Sequence, residues 1–263
     1  MAEAGVLFND GAGYERLMGR WSRIAGEQFI DWLDAPKGLR WLDVGCGNGA
    51  FTEVLIERAT PAAVTAIDPS EGQLAYARTR PGTKLAQFRQ ADAEALPFAH
   101  NSFDAVSMAL VITFLADPAK AVAEMARVAR PGAIVASYMW DIPGGGLPIE
   151  PMYVAMKSLG IPRKFPPSAN ASRRDAFQAL WQQAGLQSVE TTVIPTPVVY
   201  PDFDDFWQSN TLPIGTVGQA ISGMSPATRD QLRARLREQL SLRPDGSIAY
   251  TAFANAVKGR VPG

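Results

Sequence analysis

Apolar strand-like runs alternate with amphipathic helical stretches from Arg40 to Val257, which predicts an α/β fold built on a doubly wound parallel sheet. Two further observations agree. The first apolar run passes straight into Gly45-Cys46-Gly47-Asn48-Gly49 and the second stops at Asp68-Pro69, so glycine and acid collect where strands give way to helices. A chain of 263 residues also suffices for one such sheet with insertions.

Each element has its own signal. Leu17, Trp21, Ala25, Phe29 and Leu33 are spaced by four, the stripe of an amphipathic helix that Pro36 and Gly38 end. Arg40 to Val44 is the first strand, and Phe51, Val54 and Leu55 then sit at helical spacing. Ala63 to Ile67 is the second strand. Ser70 with Gln73 predicts a capping box for the helix that carries Leu74 and Ala77. Leu85 to Phe88 and Ala105 to Ala109 are the next strands. Asp117 caps a helix with Pro118 at its first position, where a missing N–H costs nothing. Arg130-Pro131-Gly132 ends that helix, and Ala133 to Met139 is a fifth strand.

The regular alternation then lapses. Asp141 to Ser172 is rich in Gly and Pro, with one helical segment from Tyr153 to Leu159. A helix from Asp175 to Gln183 and a strand from Val189 to Ile194 follow. The stretch from Phe203 to Gly246 has its best helix at Pro226 to Leu240, and Ile248 to Val257 closes the chain as a strand after the Asp245-Gly246 turn. The expected organisation is a helical cap (1–38), a ligand-binding core (39–141) and the rest of the sheet (142–263) with lid insertions at 142–172 and 203–246. Both insertions exceed ordinary connections in length.

Composition narrows the function classes. Hydrophobic residues at 47%, charged residues at 19% and a net charge of −1 describe an ordinary globular chain without the basic stripe of a nucleic-acid binder. Arg229, Arg233, Arg235 and Arg237 read as the solvated face of a helix whose apolar stripe is Leu232, Leu236 and Leu240. One cysteine, Cys46, and one histidine, His100, supply neither a disulfide nor a metal cluster. The first ten residues carry no basic segment leading an apolar core, and no apolar run reaches the ~20 residues of a membrane span. The expected location is the cytoplasm.

Three glycines at alternate positions between a strand and a helix let the backbone approach a ligand and aim helix N–H groups at it. This loop alone also fits a dinucleotide site. Asp68 ends the second strand beside the loop, where a carboxylate can accept ribose hydroxyls or simply cap the turn before Ser70. Asp43 lies inside the first strand, where an unpaired carboxylate is costly, so it needs a loop N–H or a cationic ligand as partner.

Leu42-Asp43-Val44-Gly45-Cys46-Gly47-Asn48-Gly49 resembles motif I of class I methyltransferases. Ala66 to Ser70 is similar to the acidic end of their second strand, Ala91 to Phe98 to their adenine-binding segment, Asn101 to Val106 to the lead-in of their fourth strand, and Arg127 to Ala133 to the turn before their fifth. The menaquinone and ubiquinone C-methyltransferases and the type 11 group are the nearest in pattern. The resemblance implies a Rossmann-like seven-stranded sheet in which Ile248 to Val257 is inserted antiparallel. It also implies S-adenosylmethionine as cofactor, S-adenosylhomocysteine as product and a small-molecule acceptor.

It implies roles by position too. Gly45, Gly47 and Gly49 would line the methionyl part and ribose, and Asp68 with Pro69 would hold the ribose. Asp92 and Ala93 would hold the adenine, and backbone groups of Ala109 and Leu110 the ammonium. Tyr14, Trp21 and Arg23 would cover the methionine end. The pattern departs from the family at Thr113, where many members have histidine, so no histidine base is evident. Asp141, at a strand end, is a candidate base. Tyr153, Phe165, Tyr200, Phe203, Phe206 and Trp207 are candidates to line an apolar or aromatic acceptor pocket. Two rival readings share the glycine loop. A nicotinamide-dependent oxidoreductase would leave Asp43 and the Asp92 segment unexplained, and a non-catalytic binding module would use the insertions as an interaction surface.

Overall fold

The computed structural model describes residues 18–213 and 215–263. Helix α1 (Arg20–Leu33) buries Trp21, Ala25, Phe29 and Leu33, the stripe spaced by four, and stops where Asp34 turns left-handed. Strand β1 (Arg40–Val44), helix α2 (Ala50–Ala59), strand β2 (Ala63–Asp68), helix α3 (Glu71–Ala77) and strand β3 (Ala86–Gln90) follow. Ser70 caps α3 by accepting from Gln73 N–H at 3.4 Å. The reciprocal half of the expected capping box is missing, because the Ser70 N–H goes to the Asp68 carboxylate instead.

Strand β4 (Phe103–Ala109) leads into a single 3-10 turn (Ile112–Phe114) and helix α4 (Pro118–Val128), capped by Asp117 as expected. Strand β5 (Ala129–Trp140) starts earlier than the sequence suggests. Arg130-Pro131-Gly132 does not form a turn outside the strand but a bulge within it, since β4–β5 pairing passes from Phe103↔Ala129 to Ala105↔Ile134 with a register shift.

Helix α5 (Glu150–Ser158) lies in the first insertion. Helix α6 (Arg174–Gln183) precedes strand β6 (Gln187–Tyr200), which runs well past the expected Ile194. Its prolines did not end it because β6 is the sheet edge, where a missing N–H is tolerated. Helices α7 (Phe203–Asn210), α8 (Gly215–Ser222) and α9 (Pro226–Gln239) then lead to strand β7 (Ile248–Arg260).

The seven strands order as β3-β2-β1-β4-β5-β7-β6, with β7 antiparallel to both neighbours. The inserted seventh strand is thus as expected. Register fixes the functional edge. Trp140, the last residue of β5, pairs with Ala254, while Tyr200 pairs with Ile248. The β6–β7 ribbon therefore continues past β5 at the carboxyl edge of the parallel strands, and the chain enters α7 and leaves α9 from that end.

One face of the sheet packs α1 and α2 together with α5, α7 and α9, around Phe29, Trp41, Tyr138, Met152, Phe206, Leu232 and Leu236. The other packs α4 and α6 around Met108, Met125, Phe177 and Trp181. Tyr200, Phe203, Phe206 and Trp207 belong to the first core and are buried. As acceptor-pocket candidates they are corrected to packing residues, because Trp21 and Phe206 stack edge-on against Tyr200. The arginines of α9 are also less free than expected. Arg233 and Arg237 both reach Asp204, and Arg237 lies over the Phe203 ring.

Candidate functional site

The carboxyl ends of β1, β2 and β4 bring Val44, Asp68 and Ala109 to one edge, since Val44 pairs with Ile67 and Asp43 with Ser107. The glycine loop leaves β1 there. Gly45 and Cys46 N–H both donate to the Ile67 carbonyl at 2.8 Å, and Gly49 N–H donates to Cys46 at 2.9 Å. All three glycines have positive φ. Gly45 is required twice over, because a Cβ there would sit 2.5 Å from Val111. Gly47 differs. A Cβ on it would meet nothing within 4 Å, so this turn of backbone faces open space at the strand edge.

Asp68 is buried and accepts from Gly47 N–H and Ser70 N–H, each at 2.9 Å. Burial pushes its carboxyl up, and the two backbone N–H groups pull it back. The side chain thus ties the glycine loop to the end of β2 while keeping lone pairs for further donors. The bond from Ser70 N–H is the turn cap that the sequence offers as one role for Asp68. Asp104, at the start of β4, accepts from the Arg40 backbone N–H at 2.9 Å and pairs with Arg130 at 3.0 Å.

Asp43 is fully buried. Its partner is neither a loop N–H nor a cation on the chain but the Thr52 hydroxyl of α2, which donates to Oδ2 at 2.7 Å. Oδ1 has no partner. Burial pushes this carboxyl up to about 7 against the pull of Thr52, and the nearby Asp68 adds to the rise. Cys46 is likewise buried and its thiol pushed well up by burial, which fits a packing role.

The Asp92 segment is held from α4. Arg127 donates to the carbonyls of Leu96 at 2.9 Å and Phe98 at 2.8 Å, and Glu124 accepts the Leu96 N–H at 2.8 Å. Asp92 turns its own carboxylate onto the Glu94 N–H and stays exposed, with Ala93 buried beside it. Leu110 adopts a left-handed conformation just past β4, and its N–H is spent on the Tyr138 carbonyl at 2.9 Å, so only carbonyls remain for a cation there.

Of three expectations at the methionine end, one lies outside the described residues and two change. Tyr14 lies outside the described residues. Trp21 is core, packed on Tyr200. Arg23 pairs with Glu27 and Glu57 on the outer surface of α1 and α2, which removes it from the site. Asp141 is not poised as a base either. Its carboxylate accepts the Gly144 N–H at 2.9 Å and shapes the turn after β5. Thr52 and Glu124 were missed, since neither stands inside a recognisable motif; Arg127 was read only as the start of the turn before the fifth strand, although its place three after Glu124 carried the helical pairing signal.

A family model described as a methyltransferase domain matches residues 42–137, from the strand that holds Asp43 to the middle of β5. That stretch resembles a methyltransferase domain, and the seven-stranded sheet around it is the one that the class I pattern implies. It is 40% identical over 114 residues to a demethylmenaquinone methyltransferase of Renibacterium salmoninarum, covering 43% of this chain and 44% of that protein. Against methyltransferase GfsG of Streptomyces halstedii the figures are 32% over 188 residues, 68% of this chain and 66% of the relative. The chain spans about half the length of the curated relatives it matches first. Among solved structures, a phosphoethanolamine N-methyltransferase 2 of Haemonchus contortus in complex with S-adenosyl-L-methionine matches at TM-score 0.57 and 18% identity, over 96% of this chain and 56% of that one. The [4+2]-cyclase SpnF matches at TM-score 0.56 and 18% identity, over 93% and 81%. The class I fold therefore carries more than one chemistry, and the site has to argue the function.

Proposed function

We propose that this chain transfers a methyl group from S-adenosylmethionine to a small-molecule acceptor. The observation that carries the reading is the open side of Gly47 between two buried acids, Asp68 beneath the loop and Asp43 with an unpartnered oxygen. A ligand with a ribose and a cationic amino-acid end fits that donor and acceptor set. A nicotinamide dinucleotide carries no ammonium group, and its diphosphate would bring negative charge to an edge that already holds two buried acids.

In this reading Asp68, with Pro69 beside it, accepts ribose hydroxyls on its remaining lone pairs. Gly45, Gly47 and Gly49 bring the loop backbone against the methionyl end. Asp92 and the Ala93 N–H face the adenine on a segment that Arg127 holds in place. The Ala109 and Leu110 carbonyls, freed by the left-handed turn, take the ammonium, and Asp43 supplies the balancing charge beneath. When bound, S-adenosylmethionine provides a methyl group already activated on a sulfonium. The chain's own work is then to position the acceptor and exclude water, which agrees with a site lacking an acid–base pair.

The insertions at 142–172 and 203–246 serve as the acceptor lid, with the organisation into cap, core and lidded remainder given above. Both start from the carboxyl edge and pack on one core with α1. No helix among the described residues is long and apolar enough to cross a membrane, and no group of three or more His, Cys, Asp or Glu there could hold a metal. A cytoplasmic location goes with this reading, as does an apolar or aromatic small-molecule acceptor. Screening small-molecule acceptors for S-adenosylhomocysteine release, with product mass measured, tests the activity. Cofactor binding without release on any acceptor would favour the non-catalytic module.

A further inference from the structure

Arg163 sits in the connection after α5 with a guanidinium that is fixed on three sides. Its carbon lies 4.1 Å from the Tyr153 ring centroid and 4.8 Å from that of Phe165. Nη1 donates to both Glu150 oxygens, at 2.9 and 3.1 Å. Only 15% of the side chain is exposed, and Nη2 is buried with no acceptor among the described residues. Leaving a charged donor without a partner costs more than leaving a neutral one, and a guanidinium locked by rings and a carboxylate cannot swing to find water.

The location is informative. Beyond Arg163 the chain reaches Ser168, whose N–H donates to the Thr113 carbonyl at 3.0 Å and whose hydroxyl donates to the Leu115 carbonyl at 2.9 Å. The connection is therefore pinned to the turn that follows Leu110, beside Val111, the residue against which Gly45 packs. Three large apolar side chains on these same elements are exposed: Phe114, Val154 and Phe165. A fixed cationic donor thus lies beside an apolar surface at the edge that carries the glycine loop.

We propose that Arg163 is a specificity-determining residue: when the insertion at 142–172 opens and uncovers Nη2, that donor binds a carboxylate or carbonyl oxygen of the methyl acceptor, with the acceptor's apolar body against Phe165 and Phe114. Glu150 holds the guanidinium in register. Naming the ligand the methyl acceptor rests on the function proposed above; the oxygen preference itself does not.

The probes are 4-hydroxycinnamate, the corresponding methyl ketone, and 4-propenylphenol, which lacks the oxygen. Each is titrated calorimetrically into the full chain with and without S-adenosylhomocysteine. The acid and the ketone should bind about 10-fold or more tighter than the propenylphenol, the worth of a hydrogen bond from a charged donor. Arg163→Gln should abolish that preference and Arg163→Lys restore it in part, while S-adenosylhomocysteine affinity stays as in the parent. Phe165→Ala, at an exposed position, should weaken all three probes alike. Equal binding of the three by the parent, binding of none, or a preference retained in Arg163→Gln overturns the proposal. Failure of S-adenosylhomocysteine to bind, with the oxygen preference intact, would count against the methyltransferase reading alone.

Discussion

Replacing Asp43 by Asn removes one proton-binding site from the deepest part of β1 and almost nothing else. The amide is nearly isosteric and can still pair with Thr52, 2.7 Å away. In the folded chain the carboxyl titrates at about 7 against an ordinary 3.8, because burial outweighs the Thr52 hydrogen bond and Asp68 adds repulsion. The native state thus keeps a proton that the unfolded chain loses near pH 4. The acid's contribution to stability is complete at low pH, falls as pH rises toward 7, and levels off above it. Between pH 5 and 7 this amounts to about 2 kcal/mol at 1.36 kcal/mol per unit, the slope flattening at the midpoint. Guanidinium unfolding followed by the fluorescence of the buried tryptophans, at pH 5 to 8, measures it. The parent should lose about 3 kcal/mol relative to Asp43→Asn across that range. Parallel curves would refute the reasoning. Affinity for S-adenosylmethionine, which is cationic at this end, should rise with pH through 7 in the parent and stay flat in the variant.

Other outcomes separate holding the loop from binding through it. Gly45→Ala forces a Cβ to 2.5 Å from Val111 at a positive φ, and should lower stability by more than about 2 kcal/mol in chemical denaturation. Gly47→Ala meets no protein atom and should cost only the left-handed backbone term of about 1–2 kcal/mol, yet weaken S-adenosylhomocysteine binding disproportionately. Equal affinity in Gly47→Ala and the parent would remove the loop's open side from the site. Arg127→Ala withdraws the donors that hold Leu96 and Phe98, and should reduce stability by about 1.5–3 kcal/mol while speeding hydrogen exchange across residues 91–98. Unchanged exchange there would show that the segment holds itself.

The strand–helix alternation was legible because each element has a period of its own, and the caps at Ser70 and Asp117 marked their helices correctly. The inserted antiparallel β7 could not come from periodicity. It came from resemblance, since register between distant strands leaves no local mark. β6 was cut short in the reading because Pro195 and Pro197 look like stops, and only an edge position makes them harmless. The site divides in the same way. Gly45, Gly47, Gly49 and Asp68 stand at chain positions that a strand end fixes, so their proximity was readable. Trp21 and Arg23 sit on one helix whose rotation was not fixed, and packing turned one inward and the other onto Glu57. The aromatics of α7 looked equally suited to pocket or core, and a core under the lid claimed them. Arg163 left no trace in any pattern because its ring partners and Glu150 meet only after the insertion folds back.

The central claim is that the edge formed by the glycine loop, Asp43 and Asp68 binds an adenosyl amino acid. Calorimetric titration of S-adenosylhomocysteine and of NAD, into the parent and into Asp68→Ala, tests it most directly. Because Asp68 accepts from both Gly47 and Ser70, the variant should also lose stability, so its unfolding is measured alongside. Asp175→Asn, at an exposed helix start, is the control. The account predicts that S-adenosylhomocysteine binds the parent and the control equally. Asp68→Ala should bind roughly 10- to 150-fold more weakly while still folded, and NAD should not bind. Binding of NAD in preference to S-adenosylhomocysteine, or unaltered affinity in a folded Asp68→Ala, would contradict it.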